Sequence, residues 1–233
     1  MAGRISEVLG YRPLWHIANS GGVSRFPEAH FDMVRLGIGL HGIGVDAAET
    51  AQLLPTVTLR TVIAQIKSVK AGESVSYGRR FTAQKETRIA TLPIGYADGL
   101  SRRLGNGAGK VWINGQAAPF VGSICMDMCM VDVTDIRCAM DDEVLVFGPG
   151  HTLQDYARDL GTIPYEALTS ISQRVKRVYI QGDAPHRMLP QDVGSMVPSM
   201  PNGNGGEQLM GLPLREAREV FEREYLLAQV TRF

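Results

Sequence analysis

The chain has 233 residues, a hydrophobic share of 44% and a charged share of 21%, the balance of an ordinary soluble protein with room for a sizeable core. Its 24 basic and 24 acidic residues cancel, which removes the electrostatic footprint of a nucleic-acid binder, and no apolar run reaches the ~20 residues needed to span a bilayer. The three cysteines, Cys125, Cys129 and Cys138, have no CxxC spacing, so they read as reduced thiols of a cytoplasmic protein, with neither a disulfide framework nor a metal site.

In chain order, Ile5, Val8 and Leu9 fall at helical spacing and Gly10 can stop that helix. The N-terminus lacks the basic and long apolar regions of a secretory signal. Leu14 to Ala18 and Met33 to Leu36 read as buried strands, each running into a polar or glycine loop, with a short helical segment from Pro27 to His30 between them. Two strand-loop units of this kind resemble the end of a parallel α/β barrel, about a quarter of the eight units that closure needs. From about Pro55 the pattern becomes that of an antiparallel β domain. Val57, Leu59, Thr61 and Ile63 alternate, and strands follow at Arg88 to Ile94, Lys110 to Ile113, Pro119 to Cys125, Cys129 to Val133, Glu143 to Phe147 and Arg174 to Ile180. Asn114-Gly115 suits a type I′ hairpin. Thr152 can cap a helix ending at Gly161, and Pro164 opens another. The expected organisation is therefore α/β plus all-β: 1–48 as the last strands of an incomplete (β/α)8 barrel, 49–181 as a mainly antiparallel β-barrel domain, 182–211 as a Pro/Gly/Met-rich linker, and 212–233 as one amphipathic helix.

Three places carry candidate chemistry. Ser20, Gly37 and Ile38 follow the first two strands, where backbone N–H groups and a hydroxyl can converge on a phosphate; a pair of tight turns is the plain alternative. Arg35 sits just before the second loop. Set against a pyridine nitrogen, a permanently charged guanidinium keeps that nitrogen unprotonated, whereas the ordinary reading pairs Arg35 with Asp32 or Glu28. Tyr96 ends a strand in Gly95-Tyr96-Ala97-Asp98-Gly99. A phenol titrates near 10 in water, so one that removes a carbon-bound proton needs cations or hydrogen bonds nearby; a packed aromatic is the alternative. Met126 and Asp127 interrupt an apolar strand, as a bulge whose free N–H groups could receive a substrate carboxylate, with Asp127 orienting neighbours and Met128 and Met130 filling the core.

HIANSGG, RLGIGLHG, VSYGRRF, PIGYADG, GSICMDM and LTSISQRVKR occur in the order found in alanine racemases, and the resemblance covers residues 1 to 180. It implies a pyridoxal 5′-phosphate barrel followed by a β domain, in a homodimer with shared sites that interconverts L- and D-alanine for peptidoglycan. By that resemblance Ser20, Gly37 and Ile38 bind the cofactor phosphate, Arg35 faces the pyridine nitrogen, and Met126 lies near the substrate carboxylate. Tyr96 is then one of two acid/base residues, reaching into the partner subunit's site. The other is a lysine on an early barrel strand, and none of Lys67, Lys70, Lys85, Lys110 and Lys176 matches its motif. Gln173 stands where many members have a phosphate-binding tyrosine.

The expectation is thus a racemase C-terminal half, with Met1 an internal methionine, inactive and poorly soluble without its barrel because strand edges and apolar faces stay uncovered. Broader amino-acid specificity, or a non-catalytic dimerisation module, are the competing readings. The segment from Met188 onward is similar to the part preceding the DNA-binding helices of nitrogen-regulation response regulators; it stops before them, so a fusion near residue 185 without a DNA-binding role is expected.

Overall fold

The computed structural model describes residues 2–181 and 184–186. The chain divides into two units, Met1–Val175 and Lys176–Phe233. The expected linker, the terminal helix and the response-regulator likeness lie outside the described residues, apart from 184–186.

Helix α1 (Ala2–Leu9) is closed by Gly10 at φ 71°, as the periodicity predicts. The segments 14–18 and 33–36 do not become strands. They lie side by side in parallel, joined by hydrogen bonds from the Asp32 amide to the Trp15 carbonyl (3.1 Å) and from the Arg35 amide to that of Ala18 (2.9 Å), with one bridge at Asn19 and Arg35. A parallel ladder gains little from a single pair, and among the described residues neither segment has a second neighbour to extend it. Helix α2 (Ser20–Arg25) is capped by the Asn19 side chain, and α3 (Ala47–Thr50) by Asp46. Val8, Tyr11, Ile17, Phe31 and Leu54 in this region are each more than three-fifths exposed.

The β region is built from β1 (Leu59–Val62), β2 (Gln65–Val69), the short β3 (Ser74–Val75) and β4 (Phe81–Thr82), β5 (Thr87–Leu92), β6 (Lys110–Ile113), β7 (Gln116–Val121), β8 (Cys129–Asp132) and β9 (Glu143–Phe147). Seven of them form one antiparallel sheet in the order β1-β9-β6-β7-β8-β5-β2. Its first and last strands are consecutive in sequence, joined only by Ile63 and Ala64. The Ile63 amide bonds to the Asp142 carbonyl at one edge and the Ala64 amide to that of Thr91 at the other. The sheet therefore curls until its two edges share a corner, and the inward residues Ile63, Leu92, Val111, Ile113, Phe120, Val131, Val144 and Val146 are fully buried. Each such side chain stabilises the fold by about 1.5–3 kcal/mol.

β2 has no counterpart among the expected strands because Gln65, Lys67 and Ser68 break the alternation; it is an edge strand with one buried residue, Val69. β7 stops at Val121 rather than Cys125, since Gly122 at φ 64° leaves extended geometry. Met126 and Asp127 accordingly stand in a loop between strands and not in a bulge. The Asn114-Gly115 hairpin is as expected, with both residues at positive φ (50° and 77°). Replacing Gly115 with valine is expected to destabilise the chain by about 1–2 kcal/mol, because a β-branched residue is forced into the left-handed region; an unchanged urea midpoint would contradict that geometry.

Helix α4 (Leu153–Leu160) starts in a reciprocal Thr152–Asp155 capping box and ends at Gly161, and α5 (Pro164–Thr169) starts at its proline. Strand character returns only at β10 (Tyr179–Gln181), paired with β11 (Ala184–His186), not from Arg174, because the Ser172 amide is bound to the Asp98 carbonyl and the Val175 amide closes a turn on Ser172. Beside α4, Phe147 packs on Tyr156 and Trp112 on His151, at ring separations of 5.1 and 5.8 Å.

His151 is 4% exposed, and burial lowers its pKa below the ordinary 6.5, against the opposing pull of Asp159 and Asp155. A histidine held neutral by folding contributes stability above its unfolded pKa, about 6.5, and that stability is lost as the pH falls through the folded value. The urea midpoint should therefore fall as the pH drops below about 6.5, and His151→Gln should flatten that slope; an identical slope in the variant would refute it.

Candidate functional site

In the first cluster the Ser20 hydroxyl accepts hydrogen bonds from the amides of Gly37 (2.9 Å) and Gly39 (3.3 Å). Two N–H groups and a hydroxyl thus converge on one point, with Ile38 buried between them as the first residue of a 3₁₀ turn (Ile38–His41). The donor set suits an anion, because such amides can turn from the serine oxygen to a phosphate oxygen. A cavity of about 480 Å³ opens here, lined by Ser20, Ile38, Gly39, Glu49 and Tyr165 among others. The Arg35 guanidinium donates to the Ile17 carbonyl at 3.2 Å, not to Asp32 or Glu28. Asp32 is taken by Arg12 and by the Trp15 amide.

The second cluster gathers three loops. Gly95-Tyr96-Ala97-Asp98 lies directly on the Cys125–Met126 backbone: the Tyr96 amide bonds to the Cys125 carbonyl and the Ala97 amide to that of Met126, both at 3.0 Å. Gly95 is required there, since a Cβ would stand 2.3 Å from the Met126 oxygen. Asp98 caps its own turn by accepting the Gly95 amide at 2.8 Å, and its backbone carbonyl accepts the Ser172 amide. Arg174 spans the group, donating Nε to Asp98 at 2.7 Å and Nη2 to Asp127 at 2.6 Å. The Arg174 hydrogen bond, with help from the Gly95 amide, holds the Asp98 carboxyl below the usual carboxylate range despite some burial. Tyr96 is half-exposed and lines a smaller cavity, about 250 Å³, with Ser101, Arg103, Glu166 and Ser170. Met126 and Asp127 are exposed, whereas Cys129 is buried and its thiol is pushed up by desolvation. The three cysteines are free, and no group of metal-ligating side chains occurs among the described residues.

The structure therefore brings Ser20, Gly37 and Ile38 together, and Tyr96, Met126 and Asp127 together. The two cavities have no lining residue in common. No described helix is long and apolar enough to cross a membrane.

A third feature has no counterpart among the expected site residues. Tyr77, in the VSYGRRF segment, is 77% exposed on a turn whose backbone is strained. Ser76 has φ 73° and ψ 165°, a region otherwise nearly reserved for glycine, and Arg79 has φ 51°. The turn is held there by the Ser76 hydroxyl, which accepts the Ser123 amide at 2.8 Å and donates to its carbonyl at 3.2 Å, while Gly122 leaves room for the Ser76 Cβ. Tyr77 is thereby fixed to the segment that continues into Met126 and Asp127.

Residues 56–179 match the family described as alanine racemase, C-terminal domain. Alanine racemase 1 of Clostridium acetobutylicum is 46% identical over 175 residues, covering 71% of this chain and 45% of that protein. Among solved structures, the alanine racemase of Clostridium difficile in complex with cycloserine aligns with a TM-score of 0.70 and 38% identity, over 79% of this chain and 50% of that one. The alanine racemase of Bartonella henselae with covalently bound pyridoxal phosphate aligns with a TM-score of 0.64 and 36% identity, over 77% and 51%. The chain spans about half the length of the curated relatives it matches. With the family match extending over more than half of its residues, the chain belongs to the alanine racemase C-terminal domain family.

Proposed function

We propose that this chain supplies the β domain and the end of the cofactor barrel of a pyridoxal-phosphate-dependent alanine racemase, working as a homodimer with shared sites. Its family and the activity named for its relatives support this. The single observation in the fold that carries it furthest is the strained turn bearing Tyr77 beside the Met126–Asp127 loop. Strain that the surroundings must hold in place gathers at functional sites.

The bound cofactor would make the α-hydrogen of alanine acidic enough to be moved. Ser20 and the amides of Gly37 and Ile38 would hold its phosphate, and Arg35, with donors beyond the one engaged on Ile17, would face its ring nitrogen. Racemisation removes the proton on one face of the α-carbon and returns it on the other, so two acid/base groups must flank that carbon. The lysine that the family uses would come from the part of the relatives that this chain does not span.

Tyr96 or Tyr77 could hold the proton on the other face. Tyr96 opens a 3₁₀ turn beyond the end of β5 at Leu92, but that turn is unstrained and the residue lines a small cavity between the 95–101 and 160–170 segments. Tyr77 is the more exposed of the two and is the one held on a strained backbone. We assign it the acid/base role and place Tyr96 at the margin of the site. Met126 would present its amide to the substrate carboxylate, with Asp127 orienting that loop.

The test is solvent deuterium uptake at the α-carbon, followed by NMR from L- and D-alanine separately. The sample is this chain co-expressed with the N-terminal half of Clostridium acetobutylicum alanine racemase 1 and supplied with pyridoxal phosphate. Tyr77→Phe should suppress exchange from one enantiomer far more than from the other, and Tyr96→Phe should affect both weakly and alike. The reverse pattern would return the role to Tyr96. Exchange from serine or lysine at rates equal to alanine would favour broader specificity, and none from any amino acid in an assembled sample would favour the non-catalytic module.

A further inference from the structure

We propose that Arg174 is a positioning residue for the substrate-carboxylate loop, acting as a two-pronged tie between that loop and the Tyr96 turn. The inference rests on the racemase reading for its substrate, but the tie itself stands on geometry. One guanidinium reaches Asp98 through Nε at 2.7 Å and Asp127 through Nη2 at 2.6 Å. The two carboxylates belong to different loops, and Arg174 belongs to a third segment, which is itself anchored by the Ser172 amide on the Asp98 carbonyl.

The planar fork is what makes this possible. An ammonium on a flexible stem can sit beside one carboxylate, but it does not fix the angle between two. Arg174 and Asp127 are each nearly half exposed, so solvent screens both bonds and they contribute little to global stability. Their consequence is register instead. Asp98 has other anchors, the Gly95 amide and its own carbonyl contact, so it stays in place without Arg174. Asp127 accepts its side-chain bond from Arg174, and the residue next to it is Met126, whose amide the proposed site presents to substrate. Loss of Arg174 would therefore release the Met126–Asp127 loop more than the Tyr96 turn, and it would be felt in binding.

Two measurements test this. On the full chain, hydrogen exchange by NMR should show the amides of Tyr96, Ala97 and Cys125 exchanging about tenfold faster or more in Arg174→Met, with Val131 in the core unchanged and the melting temperature little altered. Arg174→Lys should fall between. Unchanged exchange at those amides, or a uniform rise including Val131, would overturn the tie. In the assembled enzyme, Arg174→Met should raise KM for L-alanine about tenfold with kcat nearly constant, because binding contacts are lost equally from ground and transition states. Asp127→Asn should reproduce that rise, and the double variant should be no worse than either alone. An unchanged KM in both single variants would overturn the substrate role. Failure of the unsubstituted assembly to racemise alanine would instead count against the racemase reading, and the exchange result would still decide the tie.

Discussion

Tyr77→Phe is expected to lower the racemisation rate of the assembled enzyme by about 10²- to 10⁴-fold, the range associated with a positioned acid or base. Only a hydroxyl is removed from a side chain that is 77% exposed, so packing and stability should not change. The strained turn stays in place because Ser76, not Tyr77, makes the bonds to Ser123. A loss of activity with an unaltered melting curve would thus isolate the chemistry of the phenol. A companion variant, Ser76→Ala, removes the hydroxyl that holds the turn and should lower activity with the tyrosine still present. Full activity in Tyr77→Phe, measured by D-alanine formation, would remove this residue from the reaction.

The second large effect is on folding. Gly95→Ala places a methyl group 2.3 Å from the Met126 carbonyl oxygen and 2.4 Å from that of Cys125, both backbone atoms. Neither can swing away as a flexible side chain would, so the Tyr96 turn must lift off the loop and stretch the two 3.0 Å bonds that dock it. Overpacking of this kind costs about 1–3 kcal/mol and sometimes more. For a chain of this size each kcal/mol lowers the melting temperature by about 2–4 °C, so a fall of roughly 2–12 °C is expected. The backbone at Gly95 is extended, with φ −146°, so the effect is purely steric. A melting curve superimposable on that of the unsubstituted chain would show that the two loops are not in contact.

What the sequence conveyed follows from how far each signal reaches. The β domain was legible because its signals are local: Lys110 to Ile113 and Glu143 to Phe147 alternate, Asn114-Gly115 has a single common use, and Thr152 marks a helix start. β2 escaped because an edge strand need not alternate when neither face is well buried. Leu14 to Ala18 and Met33 to Leu36 carry strand composition but stop at a single parallel bridge, because strand character in a parallel sheet depends on neighbours that no local pattern supplies.

The phosphate-type cluster was visible as glycine loops, and Ser20 does meet Gly37 and Gly39. Arg174 was not visible, since its partners lie 76 and 47 residues away and no spacing rule connects them. The strained turn under Tyr77 was not legible for a physical reason. Positive φ is usually announced by glycine or asparagine, but at position 76 the left-handed backbone is carried by a serine, whose cost is offset by bonds to Ser123 that only the folded chain reveals.

D-alanine formation tests most directly the proposal that this chain forms the β-domain part of an alanine racemase. The chain, assembled with the N-terminal half of the Clostridium acetobutylicum enzyme and pyridoxal phosphate, should convert L-alanine to D-alanine, and the same assembly carrying Tyr77→Phe should not. A well-assembled sample that binds the cofactor yet forms no D-alanine, or one in which Tyr77→Phe is as active as its parent, would contradict the account.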